Sequence, residues 1–573
     1  MTREAHLSRR SFLTGLTTVG AAAVLGASTG CAPKSYGSKP QEAEAAQTAT
    51  DTADWLGEAP AITDADCAQT LDYEVVVVGA GTSGYFAAAS AAESGAKTLL
   101  IEKGGSGNSV RSSSLGAVDT TAQREQGISI DVQEIVNDMS GYAQGRADTR
   151  LIKMWAEKSG EAIDWYTNLL RAHDMEVQLE WNMPDGTRYK EWPVGHGTNG
   201  EYPSRESDVA AIMNEYIESF EGCATMFNTA MQCLITDGEN KVVGLYAKSN
   251  KGYIRINASK AVIVGTGGYA YNKDMYKALH TEEYQSHGTF DAFPNCTGDG
   301  IKALLWLGCR MDSVPSGVVF NRCLLTADQH EGDPYNVHSD SYGYFFFSSQ
   351  PFLRVDSAGH RFHNESEPYE YVMKTSANRP VGDRYWHQVW DGNWKDDVYR
   401  FHTVGCSTIC YREGADHDAY PTMMDDWIEP EMESFVDAGY IVKAETLEEL
   451  ADKLQVSDKD AFLATCARQN ENYDNQHDPD FGKEAFRLSE LRTPPFYATV
   501  KSCGFSLCTT DGIKVNTNLQ PYGKNGQPIE GVYVVGNDQG GFYGGVYPNL
   551  AVGINAGRSA TFGRYAGKMA AAL

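Results

Sequence analysis

The sequence predicts an α/β fold, a doubly wound parallel sheet interrupted by an inserted α+β domain, and three observations carry that prediction. Leu71-Asp72-Tyr73-Glu74 and the four valines Val75 to Val78 run into Gly79-Ala80-Gly81-Thr82-Ser83-Gly84, the pattern of a buried strand entering a Gly-x-Gly-x-x-Gly turn. Ala261 to Val264 is a second buried run ending in glycines, and Val532 to Val535 is a third. Between them, from about Val318 to Pro495, the chain is dense in Trp, Tyr, Phe and His and holds no second glycine fingerprint. Residues 70–317 and 496–573 therefore read as one Rossmann-like nucleotide-binding domain, and 318–495 as a substrate-capping insertion.

Ahead of the fold, Ser8-Arg9-Arg10-Ser11-Phe12-Leu13 precedes an apolar run, Thr14 to Ala27. That run is too short and too rich in Gly, Ala and Thr for a stable membrane span. Residues 1–31 resemble a twin-arginine export signal, which places the protein in the periplasm or on the outer face of the cytoplasmic membrane. Gly30-Cys31 is a candidate lipoprotein site, with Ser28 where leucine is usual, so a lipid anchor at Cys31 is left open. Residues 32–69, rich in Ala, Thr, Glu, Asp and Ser, read as a flexible linker. The whole chain of 573 residues carries 48 basic against 76 acidic residues, a net charge of −28. That balance argues against nucleic acid or an anionic membrane face as the main partner.

In the first turn, Gly79 permits the tight bend, Gly81 lets backbone approach a pyrophosphate, and Gly84 lets the helix pack close to the strand. Thr82 and Ser83 open the alanine-rich helix whose N-terminus faces the phosphates. Thr98 to Ile101 is the next strand and ends in Glu102, eighteen residues after Gly84, where a ribose-binding acid belongs. Lys103, Ser109, Ser112, Ser113, Ser114 and Gly116 follow in a stretch of small residues that suits backbone running along a ribityl chain and ring. Thr266 and Gly267 suit close packing on the adenosine half. Asp299 either caps its helix or lies beside the cofactor, and Asn537, Asp538 and Val552 stand in the C-terminal block. Together these make the cofactor FAD. No histidine lies between Glu102 and His173 to form a histidyl-flavin bond, so FAD is expected to be non-covalent.

Residues 131 to 178 are helical in pattern, with Trp155, Ile163, Trp165 and Leu169 at core spacing. Trp181 to Arg205 is loop-like, and His196, Tyr202 and Arg205 are candidates for touching substrate. Val242 to Ile256 reads as a hairpin without chemistry. The 12 cysteines are scattered. Cys406 with Cys410 and Cys503 with Cys508 could pair, but isolated buried thiols are expected, with no metal site and no attached haem.

Thr266-Gly267-Gly268, Thr297-Gly298-Asp299-Gly300, Gly359-His360-Arg361-Phe362-His363-Asn364-Glu365 and the Gly536 block follow the first turn in an order that resembles the flavoprotein subunits of fumarate reductase and succinate dehydrogenase. That resemblance covers about residues 70 to 570 and implies catalysis between two domains. Soluble fumarate reductases carry a proton-donating arginine where this chain has Tyr369 and a carboxylate-clamping arginine where it has Tyr547, and the usual assisting histidines are absent near Val318 and Cys508. A dicarboxylate dianion needs those cations. Fumarate and succinate are therefore not expected as substrates.

Asn364-Glu365-Ser366-Glu367-Pro368-Tyr369 and Tyr547-Pro548-Asn549-Leu550-Ala551 resemble motifs of the 3-ketosteroid delta-1 dehydrogenases. The resemblance implies that Tyr369 moves the proton beside the carbonyl, and that Tyr547 with the amide of Ala551 holds the ketone oxygen. Asn549 and Ala551 replace two family glycines. A tyrosine, protonated at neutral pH, favours proton donation over abstraction. The expectation is an exported FAD-dependent reductase of a C=C bond conjugated to a neutral carbonyl, of steroid, lactone or phenolic type. With no haem motif, its electrons would come from another protein, such as a multihaem cytochrome c. A ketosteroid dehydrogenase running oxidatively and a ligand-binding lipoprotein with a vestigial flavin fold are the alternatives.

Overall fold

The four valines become a strand inside a sheet whose two faces are both covered, leaving Val75, Val76 and Val77 wholly buried. The computed structural model describes residues 54–573, apart from 108–109, 112–113, 180–189, 199–203, 239–240, 291–293, 333–342, 381, 402, 404–406, 408 and 410–422. The expected export signal, Cys31, Cys406 and Cys410 lie outside the described residues, as does Tyr202.

Strand β1 (Cys67–Val78) passes into helix α1 (Thr82–Glu93) and returns as β2 (Thr98–Ile101). β1 and β2 are parallel, with Val75 opposite Thr98 and Val78 opposite Ile101. The helical stretch expected over 131 to 178 is two helices, α2 (Val132–Tyr142) and α3 (Thr149–Arg171). Asp131 and Asp148 cap them by accepting from Gln133 N and Arg150 N, which sets both starts.

β3 (Ala224–Met226) extends the sheet beside β2, and β4 (Ala230–Thr236), β5 (Val242–Ser249) and β6 (Gly252–Val264) build its other side. The hairpin and the second buried run are one continuous element. The first half of β6 pairs antiparallel with β5, and its length runs parallel to β1. Polar residues Asn257, Ser259 and Lys260 break the apolar pattern there, and the ladder to β1 shifts register at Ser259 and Lys260, but the strand continues through them.

The chain then supplies β7 (His287–Phe290), helix α4 (Asp299–Trp306), β8 (Gly317–Leu325) and β9 (Gly343–Tyr344). After these come β10 (Leu353–Val355), helix α5 (Tyr369–Ala377), β11 (His387–Trp390), β12 (Ile441–Ala444), β13 (Phe496–Thr499) and β14 (Lys501–Thr509). One sheet has the order β9-β8-β14-β7 and another β10-β11-β13-β12. The aromatic density of the sequence is explained here: Phe345, Phe347, Phe352, Trp390, Trp394 and Phe401 form a core separate from that of the first sheet. β15 (Val532–Val534) rejoins the first sheet parallel to β6, and the last helix, α6 (Ile554–Ala571), lies against α1. That packing needs small residues: a Cβ on Gly563 would sit 2.2 Å from Ser83 O, and one on Gly567 2.2 Å from Ala87 O.

Composition places residues up to 69 in a linker, yet the described part of that segment lies on the fold. Trp306 Nε1 donates to Gly57 O at 3.0 Å, and Tyr246 Oη donates to Asp64 at 2.6 Å. Arg255 pairs with the same carboxylate. The partners of Asp64 are some 180 to 190 residues away, so local composition carries no sign of them. Among the described residues, no helix is long and apolar enough to cross a membrane.

Candidate active site

At the C-terminal ends of β1, β2 and β6 the backbone opens a cavity of about 330 Å³, lined by Gly79, Glu102, Lys103, Thr266, Asp299 and Asn295 among others. Gly79 has φ +102°, and a Cβ on it would meet Gly265 O at 2.3 Å. A Cβ on Gly84 would fall 1.7 Å from Gly79 O, so the close helix approach expected of this glycine is present. Glu102 accepts from Ala80 N at 2.9 Å and Gly104 N at 2.7 Å, which aims the carboxylate across the turn. Lys103 bonds Thr297 Oγ1 at 2.5 Å and pairs with Asp299 at 2.8 Å. Asp299 is thus linked to the cavity wall as well as lying at a helix start.

Other expected cofactor residues are divided between cavity and scaffold. Asp538, wholly buried, accepts from Thr266 N, from Thr266 Oγ1 at 2.7 Å and from Gly268 N at 2.9 Å. It ties the end of β15 to the glycine turn, which contains Gly267 at φ +92°. Asn537 accepts from Arg558 Nη2 at 3.0 Å. Thr82 Oγ1 accepts from Arg111 N at 2.9 Å, and Ser83 is buried beneath Gly265 and Gly536. Gly81 is the extended residue that caps α1. Gly116 N donates to Gly553 O at 2.8 Å, so the segment from Ser114 to Gly116 touches Val552 and Gly553. Ser109, Ser112 and Ser113 lie outside the described residues. His196 does not line the cleft described below; it bonds Thr120 Oγ1 at 2.8 Å and the carbonyls of Leu115 and Val194. Its work is to brace the small-residue segment. The side chain of Arg205 is outside the description.

Beside Val552 a larger cleft opens, with about 970 Å³ of free space including its part open to solvent. Tyr369, Tyr547, Ala551 and Val552 all line it, with Asn549, Glu191 and Arg487. Tyr369 is the first residue of α5, set there by Pro368, and its ring packs on Phe320 at 4.8 Å. Glu370, the next residue, grips Tyr547: one carboxylate oxygen accepts from Tyr547 N at 2.9 Å and the other from Tyr142 Oη at 2.5 Å. Burial pushes the Glu370 carboxyl up to about 7, against the opposing pull of Lys374 and these two donors. Two tyrosines far apart in the chain are therefore held in one wall by a residue that no motif marks.

The Ala551 amide is placed differently from expectation. Its N–H donates to Pro548 O at 2.9 Å, closing the turn, while Ala551 forms a bridge with Trp192. Of the pair expected at the ketone oxygen, both residues line the cleft, but the Ala551 amide is engaged in the turn.

Arg354 and Arg487 also line the cleft, cations that motif comparison did not reveal. Arg354 is spent on the scaffold, donating to Gln388 Oε1 at 3.2 Å and to the carbonyls of Ser348 and Gln350 at 3.1 Å. Arg487 donates to Phe401 O at 3.0 Å and faces Glu484 and Glu191. The acid of the Asn-Glu motif, Glu365, is a hub for Arg361 at 2.7 Å and Lys483 at 3.4 Å. Burial opposes its charge, but those cations outweigh burial and hold its carboxyl below the ordinary range. The cleft's charges are matched internally. Cys503 and Cys508 carry free thiols in separate surroundings: Cys503 Sγ donates to Cys323 O at 3.8 Å, whereas Cys508 Sγ accepts from Asn555 Nδ2 at 3.4 Å. No cluster fit to hold a metal occurs among the described residues.

A family model described as an FAD-binding domain matches residues 74–554. The chain belongs to this FAD-binding family. The cavity at Gly79 and Glu102 fits the group: a side chain on Gly79 would strike Gly265, and the carboxylate stands at the strand end. Vinyl phenol reductase of Lactiplantibacillus plantarum is 27% identical over 507 residues, 87% of this chain and 96% of that protein. Digoxin reductase of Eggerthella lenta is 26% identical over 604 residues, 100% of this chain and 98% of that one. The solved 3-ketosteroid delta1-dehydrogenase of Sterolibacterium denitrificans shares the fold, with TM-score 0.65, 18% identity, 87% of this chain and 99% of that chain. This FAD-binding protein is an oxidoreductase acting on CH–CH groups.

Glu191, Asn549 and Glu370 escaped sequence reasoning. Only Asn549 left a trace, as an amide where the resembling motif has glycine.

Proposed function

We propose that this flavoprotein reduces a carbon–carbon double bond conjugated to a neutral carbonyl. The observation that carries the reading is one cleft wall: Tyr369 and Tyr547 stand together where a dicarboxylate reductase needs cations, and Arg354 and Arg487 face acceptors of the protein itself. Vinyl phenol and digoxin, named for two relatives of similar length, are uncharged unsaturated molecules and agree with a neutral substrate, although vinyl phenol carries no carbonyl.

Bound FAD, once reduced, supplies the hydride. Addition at the β carbon moves negative charge to the carbonyl oxygen, and the Tyr547 hydroxyl donates a hydrogen bond there. A preset donor of this kind contributes roughly 10²–10³ in rate. Tyr369 gives its phenolic proton to the α carbon, completing addition of H⁻ and H⁺, and recovers a proton from solvent. Glu370 holds Tyr547 against α5 while this happens. FAD is held non-covalently, by the turn at Gly79 and the acid Glu102. We further propose that residues 1–31 direct export by the twin-arginine route and that the electrons come from a separate protein, a multihaem cytochrome c. Conversion of Arg9 and Arg10 to lysine should leave the protein in the cytoplasm in cell fractionation.

Anaerobic assay with reduced methyl viologen tests the chemistry. Enones should be reduced and fumarate should not. Turnover of fumarate, or oxidation of saturated ketosteroids without reduction of any enone, would overturn the reading.

A further inference from the structure

Asn549 and Glu191 stand in the cleft with polar atoms that meet no protein partner. Both amide atoms of Asn549, Nδ2 and Oδ1, are buried and unbonded, and so is Glu191 Oε2. Buried amides and carboxyls are normally satisfied, so atoms left open in a ligand cleft mark where a ligand completes the bonding. The backbone brings their segments together. Trp192 N donates to Leu550 O at 2.7 Å, and Trp192 bridges Ala551 in parallel, so Glu191 stands opposite Leu550, the residue next to Asn549, and both line the cleft.

Their chemistry selects the ligand. Burial pushes the Glu191 carboxyl up to about 8, although Arg487 pulls the other way. At neutral pH it is mainly the acid form, with one O–H to donate and oxygens to accept. Asn549 likewise offers both donors and an acceptor. A hydroxyl group, which donates once and accepts, satisfies such a pair. A carboxylate, which only accepts, would leave Asn549 Oδ1 unsatisfied.

We propose that Glu191 and Asn549 form a subsite that binds a hydroxyl group of the substrate, apart from the double bond that is reduced. The proposal rests on the enone-reductase reading, and it narrows the substrate class to hydroxylated molecules such as phenols or hydroxylated polycycles.

Calorimetric titration of the full-length, FAD-loaded protein with para-hydroxybenzylideneacetone and with benzylideneacetone, which lacks only the hydroxyl, reads the subsite without turnover. The hydroxylated ligand should bind on the order of tenfold tighter or better, because a site built for a hydroxyl rejects the analogue lacking it. Asn549→Gly, which restores the glycine of the resembling motif, and Glu191→Ala should each bring the ratio towards one. Glu191→Gln, which keeps a donor and an acceptor, should retain most of it. Equal affinity of the native protein for the two ligands, or a ratio that neither Asn549→Gly nor Glu191→Ala changes, overturns the subsite. Assay of the same two enones with reduced methyl viologen separates the readings. Hydroxyl preference without reduction leaves the subsite standing and removes the reductase, reduction without preference does the reverse, and failure of both ligands to bind removes both.

Discussion

Tyr369 and Tyr547 divide the chemistry at the residue scale, and their hydroxyls can be removed one at a time. Tyr369→Phe should lower turnover of an enone by roughly 10²–10⁴, the range for a general acid. Tyr547→Phe should cost roughly 10²–10³, the range for one donor at a developing oxyanion. Single-turnover reoxidation of the reduced flavin by the enone measures both. Glu370 adds a pH dependence. Its ionised form accepts from both Tyr142 and Tyr547, whereas its neutral form has one oxygen occupied by a proton. With the folded pKa raised to about 7 by burial, turnover should rise through that pH, and Glu370→Gln should flatten the profile. The stability effect has the opposite sign. A carboxyl whose folded pKa lies above its unfolded value of 4.5 binds more protons in the native state. Its contribution is full below about pH 4.5 and lost by about pH 7. Chemical denaturation of the native protein and Glu370→Gln across that window should show the decline only in the former.

Among the elements, the strand-turn-helix unit that opens the fold tolerates no side chain at its glycines. Gly84→Ala would drive a Cβ to 1.7 Å from Gly79 O, forcing α1 away from β1. Purified Gly84→Ala should carry no flavin absorbance and melt below the native protein. Gly141, inside α2, has nothing within 4 Å of an added Cβ. Gly141→Ala should therefore stabilise by roughly 0.5–1 kcal/mol, through backbone entropy alone. Elements also show why legibility was uneven. β1, α1 and β2 could be read because each is a contiguous apolar or small-residue run with punctuation at its ends. β6 reads as two separate runs because its central residues, Asn257 to Lys260, are largely polar, while the strand stays continuous through the register shift at Ser259 and Lys260, held by backbone pairing on either side. Sequence patterns report side chains, and the ladder is backbone.

In the whole molecule, the cleft at Tyr369 is lined by Val552 and Gly553, which touch the Ser114 to Gly116 segment that follows Glu102 in the chain. Groups from both ends of the chain thus line the cofactor cavity and the cleft. FAD binds this assembled state and not the unfolded chain, so it should raise the melting temperature in proportion to the logarithm of its free concentration. At about 100 times the dissociation constant the stabilisation is roughly 2.7 kcal/mol. Thermal melts at several FAD concentrations measure it. A melting temperature independent of FAD would contradict reversible, non-covalent binding.

The sequence by itself determined that the protein binds a dinucleotide and that tyrosines replace arginines at two motif positions. Those facts reside in short runs of residues whose order is enough to read them. Only the tertiary structure decided what surrounds the tyrosines. Glu370 reaches Tyr547 across 177 residues, Arg354 turns out to be bound by backbone carbonyls, and the Ala551 amide is taken by Pro548. Asn549 and Glu191 are brought to one cleft by the bridge between Trp192 and Ala551. The physical reason is the same in each case: a hydrogen bond is satisfied or left open by whichever group folding brings within about 3 Å, and one-dimensional spacing says nothing about that distance.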